Sequence, residues 1–186
     1  MPLPIQDVER ELTHTRRVRF EGYKRTDGLW DIEGRLTDVK NHDFTLQTGV
    51  RRAGLPVHDM WVRLTIDTKF NVIAAMAVSD AVPYPGGCET IAPQYAKLVG
   101  LNLMHGFRKR VKELLGDVRG CTHLTEMLGA FPTAAIQTFA GERRLEPDTG
   151  RKPFQIDQCH ALESGSETVR TMYPKWFRKT AENAQG

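Results

Sequence analysis

A chain of 186 residues, 40% of them apolar and with a net charge of +3, has material for one sizeable core and no strong electrostatic bias. No apolar run approaches the roughly 18 residues of a membrane-spanning helix, and the opening "MPLPIQDVERELTHTRR" lacks an apolar signal segment. The basic clusters "RKRVK" (108–112) and "KWFRK" (175–179) are short and interrupted, which favours solvated helix faces over a nucleic-acid surface. Three cysteines, Cys88, Cys121 and Cys159, cannot all pair within one chain. They read as thiols, ligands or packing residues of a reducing, cytoplasmic compartment rather than as a disulfide framework.

In chain order, "RRVRFEGYKR" (16–25) alternates, "TDG" supplies a turn, and "LWDIEGRLTDVK" (29–40) completes a hairpin. "HDMWVRLTID" (58–67) sets Met60, Val62, Leu64 and Ile66 against polar neighbours, as a half-buried strand does. After a short turn at Thr68 and Lys69, "FNVIAAMAVSDAVP" predicts its antiparallel partner. The connections are too short for crossover helices, so an antiparallel meander of about four strands is expected. "YPGGC" (84–88) ends the sheet. Helical apolar spacing then covers 89–99 and 103–116. A third helix is expected from near Thr122, its candidate cap, to about residue 140, with Pro132 as a kink or a break. "GERRLEPDTGRKP" (141–153) reads as a polar loop, and "SETVRTMYPKWFRK" (166–179) as a last helix interrupted near Pro174. The expected fold is α+β, with an antiparallel sheet first and helices afterwards on one of its faces. A single domain over residues 1–180 with a disordered tail at 181–186 is expected.

Four stretches put reactive side chains at element ends: "PVHDM" with His58 and Asp59, "PGGC" with Cys88, "GCTHLTE" with Cys121, His123 and Glu126, and "IDQCHALESGS" with Asp157, Cys159, His160 and Glu163. A thiol at a helix N-terminus, such as Cys121, sits near unpaired backbone N–H groups that favour thiolate. His123 is placed to bond it or to ligate the same ion, and Glu126, one turn on, to orient that ring. A helix start with a capping box is the competing reading of this stretch. In the first hairpin Asp31 and Glu33 share one face and Trp30 and Ile32 the other, with Arg25 available to pair an acid. CxxC pairs, Walker loops, GxSxG and GxGxxG are absent from the sequence.

The motifs "HTR…YKRTDGLWDIEGRLTD", "VHDMWVRLTID", "GGC" and "GCTHLTEML" resemble a bacterial domain-of-unknown-function family, DUF2889, over roughly residues 13–140. That resemblance implies an association with aromatic catabolism. The implied activity is lyase chemistry on lignin-derived aromatic dimers, in which a hydroxymethyl group leaves as formaldehyde without a cofactor. A more distant resemblance, to the NifU-type iron–sulfur scaffold, matches "PVHDMWVRL", "GGC" and "GCTHL" to three ligand-bearing stretches. It implies that His58, Asp59, Cys88, Cys121 and His123 converge. His58 stands where that family has cysteine, which disfavours cluster assembly and leaves a site suited to zinc or to acid–base work.

The leading expectation is thus an enzyme acting on a small aromatic substrate with no cofactor. His58 with Asp59, or His123 with Glu126, serves as base and orienting carboxylate beside Cys121. Tyr23, Trp30, Asp31, Tyr84 and Cys88 are the candidate substrate-binding residues. The alternative is a metal-binding module holding zinc or iron through His58, Cys88, Cys121 and His123. A non-catalytic accessory subunit is the third reading, and a homo-oligomer is left open. No nucleic-acid or membrane partner is expected.

Overall fold

The computed structural model describes residues 3–5, 7–143 and 150–179. Its contacts divide the chain into two compact units, Met1–Gly141 and Glu142–Gly186. The expectation for residues 181–186 lies outside the described residues. No described helix is long and apolar enough to cross a membrane.

The first unit is built on a four-stranded antiparallel sheet in the order β1 (His14–Lys24), β2 (Trp30–Lys40), β5 (Pro56–Ile66), β6 (Val72–Ala81). The β1–β2 turn closes because Gly28 takes the left-handed conformation (φ +82°) and Asp27 Oδ1 accepts the Leu29 N–H. A small second sheet, β3 (Phe44–Leu46) with β4 (Gly49–Arg51), interrupts the meander between β2 and β5. Strands of three residues are too short for a period of two to show in the sequence, so this hairpin was not predicted.

Alternation sorts the large strands into two faces. The even-numbered residues Trp30, Ile32, Leu36, Met60, Val62, Leu64 and Ile66 form one side of the core with Leu124, Leu128, Phe131 and Phe139 of the helices. The sheet is smooth under the last of these helices. At Gly22 a Cβ would stand 2.1 Å from Thr138 Oγ1, and at Gly34 one would press on Phe131, Phe20 and Met127. Glycine at these two positions permits the close approach.

The helices depart from their predicted bounds for local reasons. Glu89–Leu98 is a 3₁₀ helix rather than an α-helix, with Pro93 inside it removing a backbone donor. The segment predicted from residue 103 turns first on Asn102, whose Oδ1 accepts the Met104 N–H, so α1 is Phe107–Leu115. Pro132 marks a break: α2 is Thr122–Leu128 and α3 is Phe131–Arg143. Cys121, not Thr122, is the N-cap of α2, and no side chain caps it.

In the second unit, Ile156 and Val169 are buried, and α4 (Glu167–Met172) is followed by a 3₁₀ turn at Pro174–Trp176. Asp157, at φ +65°, accepts the Ser164 N–H and hydroxyl at 2.7 Å and pairs with Lys152. These bonds hold its carboxyl below the ordinary range, Lys152 first among them. Asp157 therefore organises its own loop. Cys159 is exposed, and His160 opens a 3₁₀ turn, His160–Leu162.

Candidate functional site: a histidine–carboxylate cluster

Antiparallel register places Arg16 of β1 opposite Asp38 of β2, and Asp38 opposite His58 of β5. Because all three have the parity of the core residues on their strands, their side chains share the helix-facing side of the sheet. They form a row perpendicular to the strands, at the end where the apolar inward residues stop. Just beyond it β5 carries an extra residue against β2, the register shifting between Asp38 and Val39. α2 lies over β2 and β5 and adds His123 from above.

Asp38 is the centre. Its side chain is 5% exposed. Oδ1 accepts from Arg16 Nε at 2.8 Å and from His14 Nε2 at 3.0 Å. Oδ2 accepts from Arg16 Nη2 at 2.9 Å and from His58 Nδ1 at 3.0 Å. His123 Nε2 lies 3.8 Å from the same Oδ2. Burial pushes this carboxyl up, but the hydrogen bonds and charge of Arg16, with His14 and His58, outweigh it and bring it down to about 2. Asp38 is therefore ionised at neutral pH and can only accept. The hydrogen on each bonded ring is fixed accordingly: His14 carries it on Nε2 and His58 on Nδ1, which leaves the lone pair of neutral His58 on Nε2.

The imidazoles of His58 and His123 stack with centroids 4.0 Å apart and planes tilted by 33°. Both have lowered affinity for a proton. For His58 the cause is burial and then the neighbouring His123; for His123 it is burial and then the Arg16 charge. Their side chains are 14% and 25% exposed, so the cluster opens outward from the carboxylate through His123. On its other edge His123 Nδ1 is 3.9 Å from Cys121 Sγ, which is itself 3.9 Å from Met60 Sδ. The backbone of Cys121 is clamped. Buried Tyr95 accepts its N–H and donates to its carbonyl, both at 3.1 Å, and bonds Thr125 one turn on.

Of the residues nominated from sequence, the structure gathers His58, Cys121 and His123. Glu126 reaches the rim: its side chain is 62% exposed and stands 3.6 Å from Arg16 Nη1. Asp59 follows His58 directly and so faces the opposite side of the sheet, where both its oxygens are taken by Arg35 at 2.8 and 2.7 Å. Cys88 precedes the 3₁₀ helix Glu89–Leu98, packs against the core, and donates its N–H to the Tyr84 carbonyl. Trp30 is a core residue stacked on Phe139. Asp31 accepts from the Thr65 hydroxyl and from Arg25 on the outer face. Tyr23 donates to Glu21 on that face, and Tyr84 is exposed. The proposed aromatic lining is thus dispersed.

Asp38, His14 and Arg16 were not nominated from the sequence. A usable signal exists: Trp30, Ile32, Gly34 and Leu36 define the inward parity of β2, and Asp38 continues it. Among the described residues, Asp38, His58 and His123 are the group of three whose ligand atoms all lie within 4.8 Å of one another.

No curated protein and no solved structure matches this chain, so the NifU-type likeness gains no support. A family model described as "Protein of unknown function (DUF2889)" matches residues 14–137, from the first residue of the cluster, His14, to within α3. That match spans about two thirds of the chain, and the protein belongs to the DUF2889 family.

Proposed function

We propose that this protein is an enzyme that moves protons on a small molecule, with His58 as the general base. The observation that carries the reading is the bond from His58 Nδ1 to the ionised Asp38, which orients the ring and leaves Nε2 basic. Arg16 holds the carboxylate from its far side with a two-pronged contact. His123, stacked on His58, is the second proton carrier. The reaction to test first is the formaldehyde-releasing cleavage that the family resemblance implies. His58 takes the hydroxyl proton of a hydroxymethyl group, and the carbon–carbon bond breaks as formaldehyde leaves. That same proton passes from His58, through His123 stacked on it, to the carbon that keeps the electron pair, so both rings end neutral as they began.

The test is formaldehyde release from hydroxymethyl-bearing aromatic dimers by the purified full chain and by His58→Gln and Asp38→Asn. Both variants are expected to lose about 10²–10⁴-fold in rate, the usual contribution of a positioned base. A folded His58→Gln chain that turns over at the wild-type rate removes the reading.

A further inference from the structure

We infer that Asp38 Oδ2, His58 Nδ1 and His123 Nε2 together bind one divalent transition-metal ion of the zinc type. The three atoms come from β2, β5 and α2, three elements fixed independently by the sheet ladder and by the Tyr95 clamp at the start of α2. An ion with bonds of about 2.0–2.2 Å to nitrogen and oxygen requires its ligand atoms to lie about 3.0–3.5 Å apart. Oδ2 is 3.0 Å from His58 Nδ1 and 3.8 Å from His123 Nε2. The group as a whole spans no more than 4.8 Å, so gathering it round an ion takes at most roughly an ångström of movement, available to His123 at the solvent edge.

The surroundings suit such an ion. Two imidazoles and a carboxylate are a borderline donor set that leaves further coordination positions open. Both rings are held neutral, the form that ligates. Arg16 and His14 fix the carboxylate from behind, and Cys121 faces the nitrogen of His123 that would not bind the ion. The positive charge of Arg16 opposes a cation, and Glu126 beside it offsets that charge.

The consequence for activity rests on the proposed function. To ligate through Nδ1, His58 must carry its proton on Nε2, the atom that would act as base. Metal occupancy and base catalysis by His58 therefore exclude one another, and zinc is an inhibitor.

The experiment titrates cobalt(II) into untagged, chelator-stripped, full-length protein and follows the visible d–d absorption, with zinc displacing it. One ion per chain is expected. Affinity should fall by about tenfold or more in His58→Gln and in His123→Gln, and stay unchanged in Cys159→Ser. The more exposed His123 gives a variant that folds even if His58→Gln does not, and thermal melts of each apo protein check this. Absence of saturable binding, or binding that survives both histidine substitutions, overturns the site. In parallel, turnover by stripped protein that zinc suppresses supports the exclusion, and turnover indifferent to saturating zinc overturns it. Intact cobalt binding with no turnover of any dimer counts against the proton-transfer reading and leaves the metal site standing.

Discussion

The sheet carries two arginine–aspartate pairs of nearly the same geometry, one on each face. On the helix side Arg16 grips Asp38 at 2.8 and 2.9 Å; on the outer side Arg35 grips Asp59 at 2.8 and 2.7 Å. The arginine side chains are 38% and 37% exposed, the aspartates 5% and 12%. Burial and hydrogen-bond length therefore do not separate them. What differs is company. Asp38 also collects His14, His58 and His123, whereas Arg35 lies over the Trp61 ring and Trp61 donates to Asp80. The outer face even holds a depression of about 310 Å³, lined by Trp61, Met76 and Val78, but its charges, Arg63 and Glu33, neutralise each other. A salt bridge holds a sheet together; three rings with exchangeable protons around one carboxylate can do chemistry.

Removing the acceptors should separate the pairs most sharply. Asp38→Asn leaves Arg16 and two imidazoles competing for one neutral oxygen and is expected to cost about 3 kcal/mol, against about 1–2 kcal/mol for Asp59→Asn. Urea denaturation of both variants checks this, and equal costs would mean that the imidazoles add nothing to the hold on Asp38.

The next effect concerns acid. The Asp38 carboxyl titrates near 2 in the folded chain instead of the ordinary 3.8, so its ionised contacts stabilise the fold above pH 3.8 and are lost as pH falls toward 2. That contribution is worth about 2 kcal/mol, and wild type should therefore lose more stability than Asp38→Asn between pH 5 and pH 2. Parallel curves from chemical denaturation would remove Asp38 as the source. The smallest effect belongs to the rim: Glu126→Gln should change stability by no more than about 0.5 kcal/mol, as expected of an exposed, long ion pair. A larger loss in urea would place Glu126 inside the cluster.

The sheet was legible because β2 and β5 alternate over eleven residues each, long enough for period and parity to be counted. The same alternation decides the fate of His58 and Asp59. Read as a pair they look like base and partner, yet neighbours on a strand point to opposite faces, so the partner had to be sought across the sheet at Asp38. Register is a non-local property set by pairing and by bulges, and one sequence does not display it. His123 and Cys121 were accessible because a helix start is a local signal. Tyr23, Trp30 and Tyr84 were nominated by residue type alone, and type does not distinguish a core tryptophan from a ligand platform.

The row Arg16–Asp38–His58 makes the centre sensitive to reading frame in a physical sense. The turn Arg25–Leu29 sets β1 against β2, and the chain between β2 and β5 sets His58 against Asp38. Loops can lengthen freely while the pairing is kept. A single-residue slip of β5 would instead send His58 to the outer face and bring Asp59 inward, placing two carboxylates side by side. The tolerance of this protein to insertion should thus depend less on where a loop lies than on whether its length is coupled to strand pairing.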